Sequence, residues 1–190
     1  MAVLVILLAI IFTACAGAER GEKRDVGVRV GEVKKLQQGF ERPKLLTVME
    51  QTADDGKGFS LKDATGLGRY IYPGRAGEYV ACFEKEVVQL QAVALYAVPR
   101  SESCPSRLGA EVPVPNVPEF RGGRLDDSLV KVLQAGYYPK RVRVFKVGDR
   151  SPVASPKRLA GWRVCGQSPK HGSVFAASAD VSLYVAKDCP

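Results

Sequence analysis

The stretch GWRVCGQSPKHGSVFAASADVSLYVAKDCP, residues 161–190, decides the fold. In its second half Val181, Leu183 and Val185 fall on one face of an extended chain, and Ser182, Tyr184 and Ala186 on the other. Period-two alternation marks a half-buried strand. An earlier strand ends near Val164 and Cys165, and the polar run Gln167-Ser168-Pro169-Lys170-His171-Gly172 turns the chain between the two. The stretch reads as a hairpin-like unit, opened by Cys165 and closed by Cys189-Pro190.

The same outline stands earlier in the chain. Cys82 ends a strand over 79–82, an apolar run follows at 93–98, and Cys104-Pro105 closes it. The two cysteine pairs are 22 and 24 residues apart. ALYAV at 94–98 answers SLYVA at 182–186. Agreement of several features in one order predicts two diverged copies of one unit.

At 190 residues, the chain has room for one or two small domains, and a hydrophobic fraction of 46% supplies their core. The formal charge is +8, which favours anionic partners. Ala2 to Ala14 is almost wholly apolar. That is too short for a comfortable membrane span and fits the core of an export signal. Phe12-Thr13-Ala14-Cys15 looks like a lipobox, which makes 1–14 a lipoprotein signal and Cys15 the lipidated residue, although no Lys or Arg precedes the apolar run. Plain cleavage after Ala16-Gly17-Ala18, giving a secreted protein, and a retained anchor are the competing readings. All three put the body outside the cytoplasm. Four cysteines then remain for an oxidising compartment. They allow three pairings, and the repeat favours Cys82–Cys104 with Cys165–Cys189. Each bridge would contribute about 3 kcal/mol in the chain-entropy model. A zinc site would need closer cysteine spacing and more than the single His, so no metal is expected.

Residues 15–42 read as a charged tether, in which the alternation of Val26, Val28 and Val30 allows a short strand. The first module covers 43–105. In it, 44–49 reads as a strand and 52–58 as a turn or very short helix broken by Asp54-Asp55-Gly56. DATGLGR at 63–69 reads as a structured loop, followed by strands at 69–72 and 79–83 and β-rich chain over 86–98. A linker at 106–111 leads to the second module, 112–190. It opens on an extended, proline-rich edge at 112–118. A helix follows, with Asp126 as N-cap, Leu125, Leu129, Val132 and Leu133 on one face, and Gly136 as terminator. Residues 138–147 read as a strand that carries Lys140, Arg141, Arg143 and Lys146. The fold class is α+β. The second module runs β-α-β-β-β with its helix packed on a three-stranded sheet, and the first is a degenerate copy with a reduced helix.

This order resembles the PASTA domain, a small extracytoplasmic module of penicillin-binding proteins and bacterial Ser/Thr kinases. The residues that carry the resemblance are Val114-Pro115-Asn116-Val117, LVKVLQAG at 129–136, Gln167-Ser168-Pro169 with Gly172, and the strand 181–186. DATGLGR with Cys82 and Ser103-Cys104-Pro105 is similar to a cysteine-bearing subgroup in exported actinobacterial-type proteins. The first copy departs from the pattern by having CFEKE where the Gln-Ser-Pro turn belongs, and the second lacks DATGxGR and carries an insertion near 149–158. The resemblance implies a non-catalytic protein that binds peptidoglycan fragments, or acts as a spacer without wall affinity.

The residues agree with that expectation. His171, the one histidine, stands in a polar turn, and Asp126-Asp127 sits where a helix N-terminus favours anions, so neither reads as a catalytic group or supports a wall hydrolase. No cofactor is expected. The basic strand beside Tyr137-Tyr138 has the composition of a single-stranded nucleic-acid cradle, but export removes that partner. The same side chains suit an anionic wall polymer or muropeptide carboxylates. The candidate ligand-binding residues are therefore Lys140, Arg141, Arg143, Trp162, Gln167 and Lys170, each weighed against a solvated face, a core indole or turn hydrogen bonding. Mass spectrometry of the exported protein is expected to find a lipid-bearing N-terminal peptide that begins at Cys15. An unmodified N-terminus beyond residue 15 would remove the anchor.

Overall fold

Leu45, Val48 and Thr52 recur at helical spacing, and they form the buried stripe of helix α1, Leu45–Asp54. This corrects the expectation of a strand at 44–49 and of a reduced first-module helix. α1 is ten residues long, as is α2, Leu125–Gln134. The 44–49 window is too short to show the period, which emerges only when Thr52 is counted.

The computed structural model describes residues 30–36, 42–148 and 150–190. The signal segment 1–14, Cys15, Val26 and Val28 lie outside the described residues, as does Asp149. Among the described residues no helix is long and apolar enough to cross a membrane.

The strands are β1 (Val30–Lys35), β2 (Gly58–Asp63), β3 (Tyr79–Val87), β4 (Ala92–Pro99), β5 (Val142–Lys146), β6 (Arg163–Ser168) and β7 (Val181–Ala186). They build an α+β fold with two sheets, ordered β1-β3-β4-β2 and β5-β7-β6. After each helix comes the same connectivity. β2 lies parallel to β4 and β3 antiparallel to it, just as β5 lies parallel to β7 and β6 antiparallel to it. The ladder of β3 shifts register between Ala81 and Phe83, and that of β6 between Val164 and Gly166. The residue at each bulge is a cysteine. Ala81, just before Cys82, donates its N–H to the Pro43 carbonyl at 2.9 Å, and Val164, just before Cys165, donates to Gly123 at 3.0 Å. Each acceptor sits two residues ahead of its helix.

The helices end alike. The amides of Gly56 and Lys57 bond the carbonyls of Ala53 and Thr52, and those of Gly136 and Tyr137 bond Leu133 and Val132. This is the Schellman pattern, with glycine in the left-handed region at φ +71° and +99°. Gly136 is the terminator expected from the sequence, but the N-cap expectation is corrected. Arg124 holds the cap position and makes no capping bond with its side chain. The first helical amides, of Leu125 and Asp126, are satisfied by the carbonyls of Trp162 and Ala160. Asp126 instead accepts from Arg124 through both oxygens at 3.1 Å, and this bond holds its carboxyl below the usual range.

The two sheets are buried differently. In β7 alternate residues Val181, Leu183 and Val185 are fully buried, as the period predicted, and they meet Leu125 and Val132 of α2. In β3 five consecutive residues, 79–83, are buried. One face of that sheet packs on α1 through Leu45 and Val48, and Val80, Phe83 and Val98 on the other are covered by Cys104 and Leu108. β1 falls within the segment read as tether. It joins the first sheet as an edge strand, with Leu36 donating to the Cys82 carbonyl at 2.9 Å. Residues 69–72 form no strand. Nor does 112–118, where Asn116 makes only an isolated bridge to Val174, so the second unit has no leading strand. Prolines at 113, 115 and 118 remove the amides that a ladder needs.

Both disulfides join the cysteines paired by the repeat, Cys82–Cys104 with Cα atoms 5.5 Å apart and Cys165–Cys189 at 5.3 Å. Both separations suit an unforced bridge, and such bridges belong to an oxidising compartment.

The two terminal glycines are expected to respond differently to alanine. At Gly56 the new Cβ meets nothing within 4 Å, so Gly56→Ala loses only the left-handed preference, about 1–2 kcal/mol. At Gly136 it lands 2.6 Å from the Arg69 Cβ, and the added overpacking brings the loss of Gly136→Ala to about 3 kcal/mol or more. Urea unfolding of the two variants checks the order, and equal losses would contradict it.

Candidate functional site

The DATGLGR loop builds the junction between the two units. Asp63, at the end of β2, is buried, and its carboxylate organises the loop. It accepts from the Thr65 hydroxyl at 2.6 Å, the Thr65 amide at 3.2 Å and the Arg69 amide at 3.1 Å. The Thr65 hydroxyl in turn accepts from the Leu67 amide at 3.3 Å. This Asx/ST pattern is why the segment holds a defined shape without a ladder.

Arg69 closes the arrangement. Its guanidinium donates to Asp63 at 3.3 Å and makes a two-pronged pair with Glu102 at 2.6 and 2.8 Å. Its side chain is 4% exposed. Burial opposes the charge, but the bonds from Glu102 and Asp63 outweigh it and hold the guanidinium above its ordinary pKa. The aliphatic stem of Arg69 lies under Gly136, and the Gly136 carbonyl accepts from the Tyr70 amide at 2.7 Å. Tyr70 also packs its ring against Tyr138, 5.6 Å between centroids. Gln134 donates to Glu78. The loop of one unit is thus docked on the helix terminus of the other.

A groove of about 680 Å³ opens beside this junction, with Gly66, Leu67 and Gly68 on one wall and Tyr138, Lys140, Arg141 and Ser178 on the other. The expected basic strand is corrected here. Lys140 and Arg141 stand in a 3₁₀ turn, Pro139–Arg141, and not on β5. Pro139 favours the turn by presetting φ at its first position. Lys140 has no ion-pair partner among the described residues, whereas Arg141 donates to Asp180 at 3.2 Å across an exposed pair.

The other sequence candidates lie elsewhere. Arg143 is exposed on the solvent side of the second sheet, on the same face as Phe145 and Tyr184, whose rings stack 5.7 Å apart. Trp162 is partly buried against the second core, and its carbonyl accepts from the first amide of α2 at 2.8 Å. Gln167 accepts from the Phe120 amide at 2.7 Å and donates to the carbonyls of Pro118 and Pro169 at 3.0 and 3.1 Å. Its side chain pins the 118–120 segment to the turn and has little capacity left for a ligand. Lys170 is exposed beside Glu119, Arg121 and His171. The His171 Nδ1 lies 3.1 Å from the Val117 carbonyl. Among the described residues no group of three or more His, Cys, Asp or Glu gathers as a metal site would.

Of the tyrosine pair, only Tyr138 faces solvent. Tyr137 is fully buried against Phe120 and Phe175, its hydroxyl has no partner among the described residues, and burial raises its pKa. Sequence reasoning missed the Gly66 and Gly68 wall of the groove. The glycine spacing in DATGLGR signalled a shaped loop, but nothing in it named the opposite wall. Compared with protein-family models, curated proteins and solved structures, the chain matches none.

Arg69→Met is expected to strand the Asp63 carboxylate and cost about 3–5 kcal/mol. Arg124→Met, which breaks a fully exposed pair, should leave the unfolding midpoint nearly unchanged. Thermal unfolding of the two variants in parallel checks this, and a small loss at Arg69 would show that the junction does not rest on it.

Proposed function

We propose that this chain is a non-catalytic extracytoplasmic binding protein of two PASTA-like units, held at the membrane by lipid on Cys15 and engaging anionic cell-wall material through its cationic surface. The single observation that carries the reading is the junction. Two disulfide-stapled α+β units interlock through Arg69 and Gly136, and that interlock sets Lys140 and Arg141 at the mouth of a groove. An interlocked pair presents its charges in fixed geometry, which favours binding over the loose tandem of a flexible linker. The net charge of +8 supplies long-range attraction to a polyanion. The contact of His171 with a backbone carbonyl and the use of Gln167 as a pin support a binding rather than a catalytic role.

The duplication within the chain is supported by one further observation. Each unit repeats the same helix terminator, the same strand connectivity and the same bulged cysteine. We read these as two copies of one ancestral module. A second reading, a rigid spacer with no wall affinity, draws on the same interlock and on the structural employment of Trp162 and Gln167.

Sedimentation with purified peptidoglycan separates the two. Pelleting is expected near 50 mM salt and should fall steeply by about 500 mM, as surface charges are screened. The double reversal Arg141→Glu with Arg143→Glu should weaken it at low salt. Absence of pelleting at low salt would leave the spacer reading standing.

A further inference from the structure

We infer that the groove between the two units is a binding site for a short acidic saccharide, with a sugar ring laid on Tyr138 and a carboxylate held between Lys140 and the 66–68 loop. The inference rests on the binding reading above and adds to it a place and a ligand class.

Three observations converge on this groove. The first is charge. Lys140 is exposed and unpaired among the described residues, and Arg141 beside it is tied only by a surface pair to Asp180. A carboxylate arriving at Lys140 gains a charge-assisted hydrogen bond without breaking a buried ion pair.

The second is the opposite wall. The amides of Gly66 and Gly68 donate to no protein acceptor among the described residues, while those of Thr65, Leu67 and Arg69 are all spent inside the loop. Gly68 is in the left-handed region at φ +66°, and where its Cβ would stand there is open space. These two amides are donors that remain available to an arriving carboxylate. The loop cannot easily collapse onto its own amides, because Asp63, Thr65 and Arg69 fix it from beneath.

The third is the platform. Tyr138 is 39% exposed and lines the groove, and its ring is steadied from behind by Tyr70. A ring held in place offers a flat apolar face at little entropic cost. Around it lie Val114, Phe175 and the small residues Ala176, Ala177 and Ser178. The cleft is broad and shallow, with an apolar floor beside the tyrosine ring and two cations at its edge. An apolar floor suits the face of a sugar ring, and the cations suit its carboxylate. The volume of about 680 Å³ lies within the range of small-ligand clefts, about 300–1,000 Å³.

Isothermal titration calorimetry of the full exported chain at low salt tests the inference, with trigalacturonate as probe and maltotriose as the neutral control. Trigalacturonate is expected to bind about tenfold more tightly than maltotriose. Lys140→Glu and Tyr138→Ala should each weaken it by about tenfold. Lys157→Glu, a reversal on an exposed turn outside the groove, should leave it unchanged. Circular dichroism of each variant confirms that the fold is retained, and Lys140→Gln repeats the test with a milder change. No binding of trigalacturonate, or equal losses from Lys157→Glu and Lys140→Glu, overturns the groove. Wall pelleting without trigalacturonate binding rejects the groove and leaves the wall reading intact. Binding without pelleting rejects the wall reading and keeps the groove.

Discussion

A single arginine side chain links the two halves of this protein. Arg69 is neutralised by Asp63 beneath it and Glu102 beside it, and its stem is roofed by the backbone of Gly136 from the other unit. Each part needs the others. Without the two carboxylates, burial would make the charge prohibitive. Without glycine in the left-handed terminator of α2, a side chain would occupy the space that the stem fills. The ion pair is weak evidence for stability in itself, since desolvation offsets most of its attraction. Its value lies in fixing the Arg69 stem, which is the part that meets Gly136 of the other unit.

The rest of the architecture can be followed outward from that contact. Tyr70 comes next in sequence and passes its amide to Gly136 and its ring to Tyr138. Tyr138 leads into the turn that carries Lys140 and Arg141. The groove is thus a by-product of the interlock, formed where a glycine-bearing loop and a basic turn are brought face to face. Neither unit alone contains both walls.

The two disulfides act at equivalent places but on unequal surroundings. Cys82 is fully buried, because the 104–108 segment folds back over the second face of its sheet. Cys165 and Cys189 lie on a face left largely to solvent. The centre of the first sheet, β3 and β4, is consequently covered on both sides, and the second sheet on one. Burial follows from this, continuous along 79–83 and alternating along 181–186.

That contrast also marks how far the sequence could be read. The alternation of Val181, Leu183 and Val185, the cysteine pairing implied by a repeat, and the stop at Gly136 were all local signals, and the fold honours them. The helix at 45–54 was not legible in the same way, because its buried positions at 45, 48 and 52 span two turns, a six-residue window catches only the first, and the last of them is a threonine. The N-cap at Asp126 failed for another reason. The amides it would have served were already taken by the carbonyls of residues 160 and 162, some 35 residues on. The candidate site was legible in its residue types and not in its grouping. Lys140 and Arg141 could be named as cations, but the sequence placed them with Arg143, Trp162 and Gln167, which the fold sends to a sheet face, a core and a turn. The sequence by itself determined the α+β class, the compartment implied by its cysteines and the ends of several elements, because those follow from periodicity and residue chemistry within short windows. Only the tertiary structure decided which unit docks on which, and what faces the groove. Those relations depend on contacts between residues some 70 positions apart, such as Arg69 and Gly136, and no local pattern encodes them.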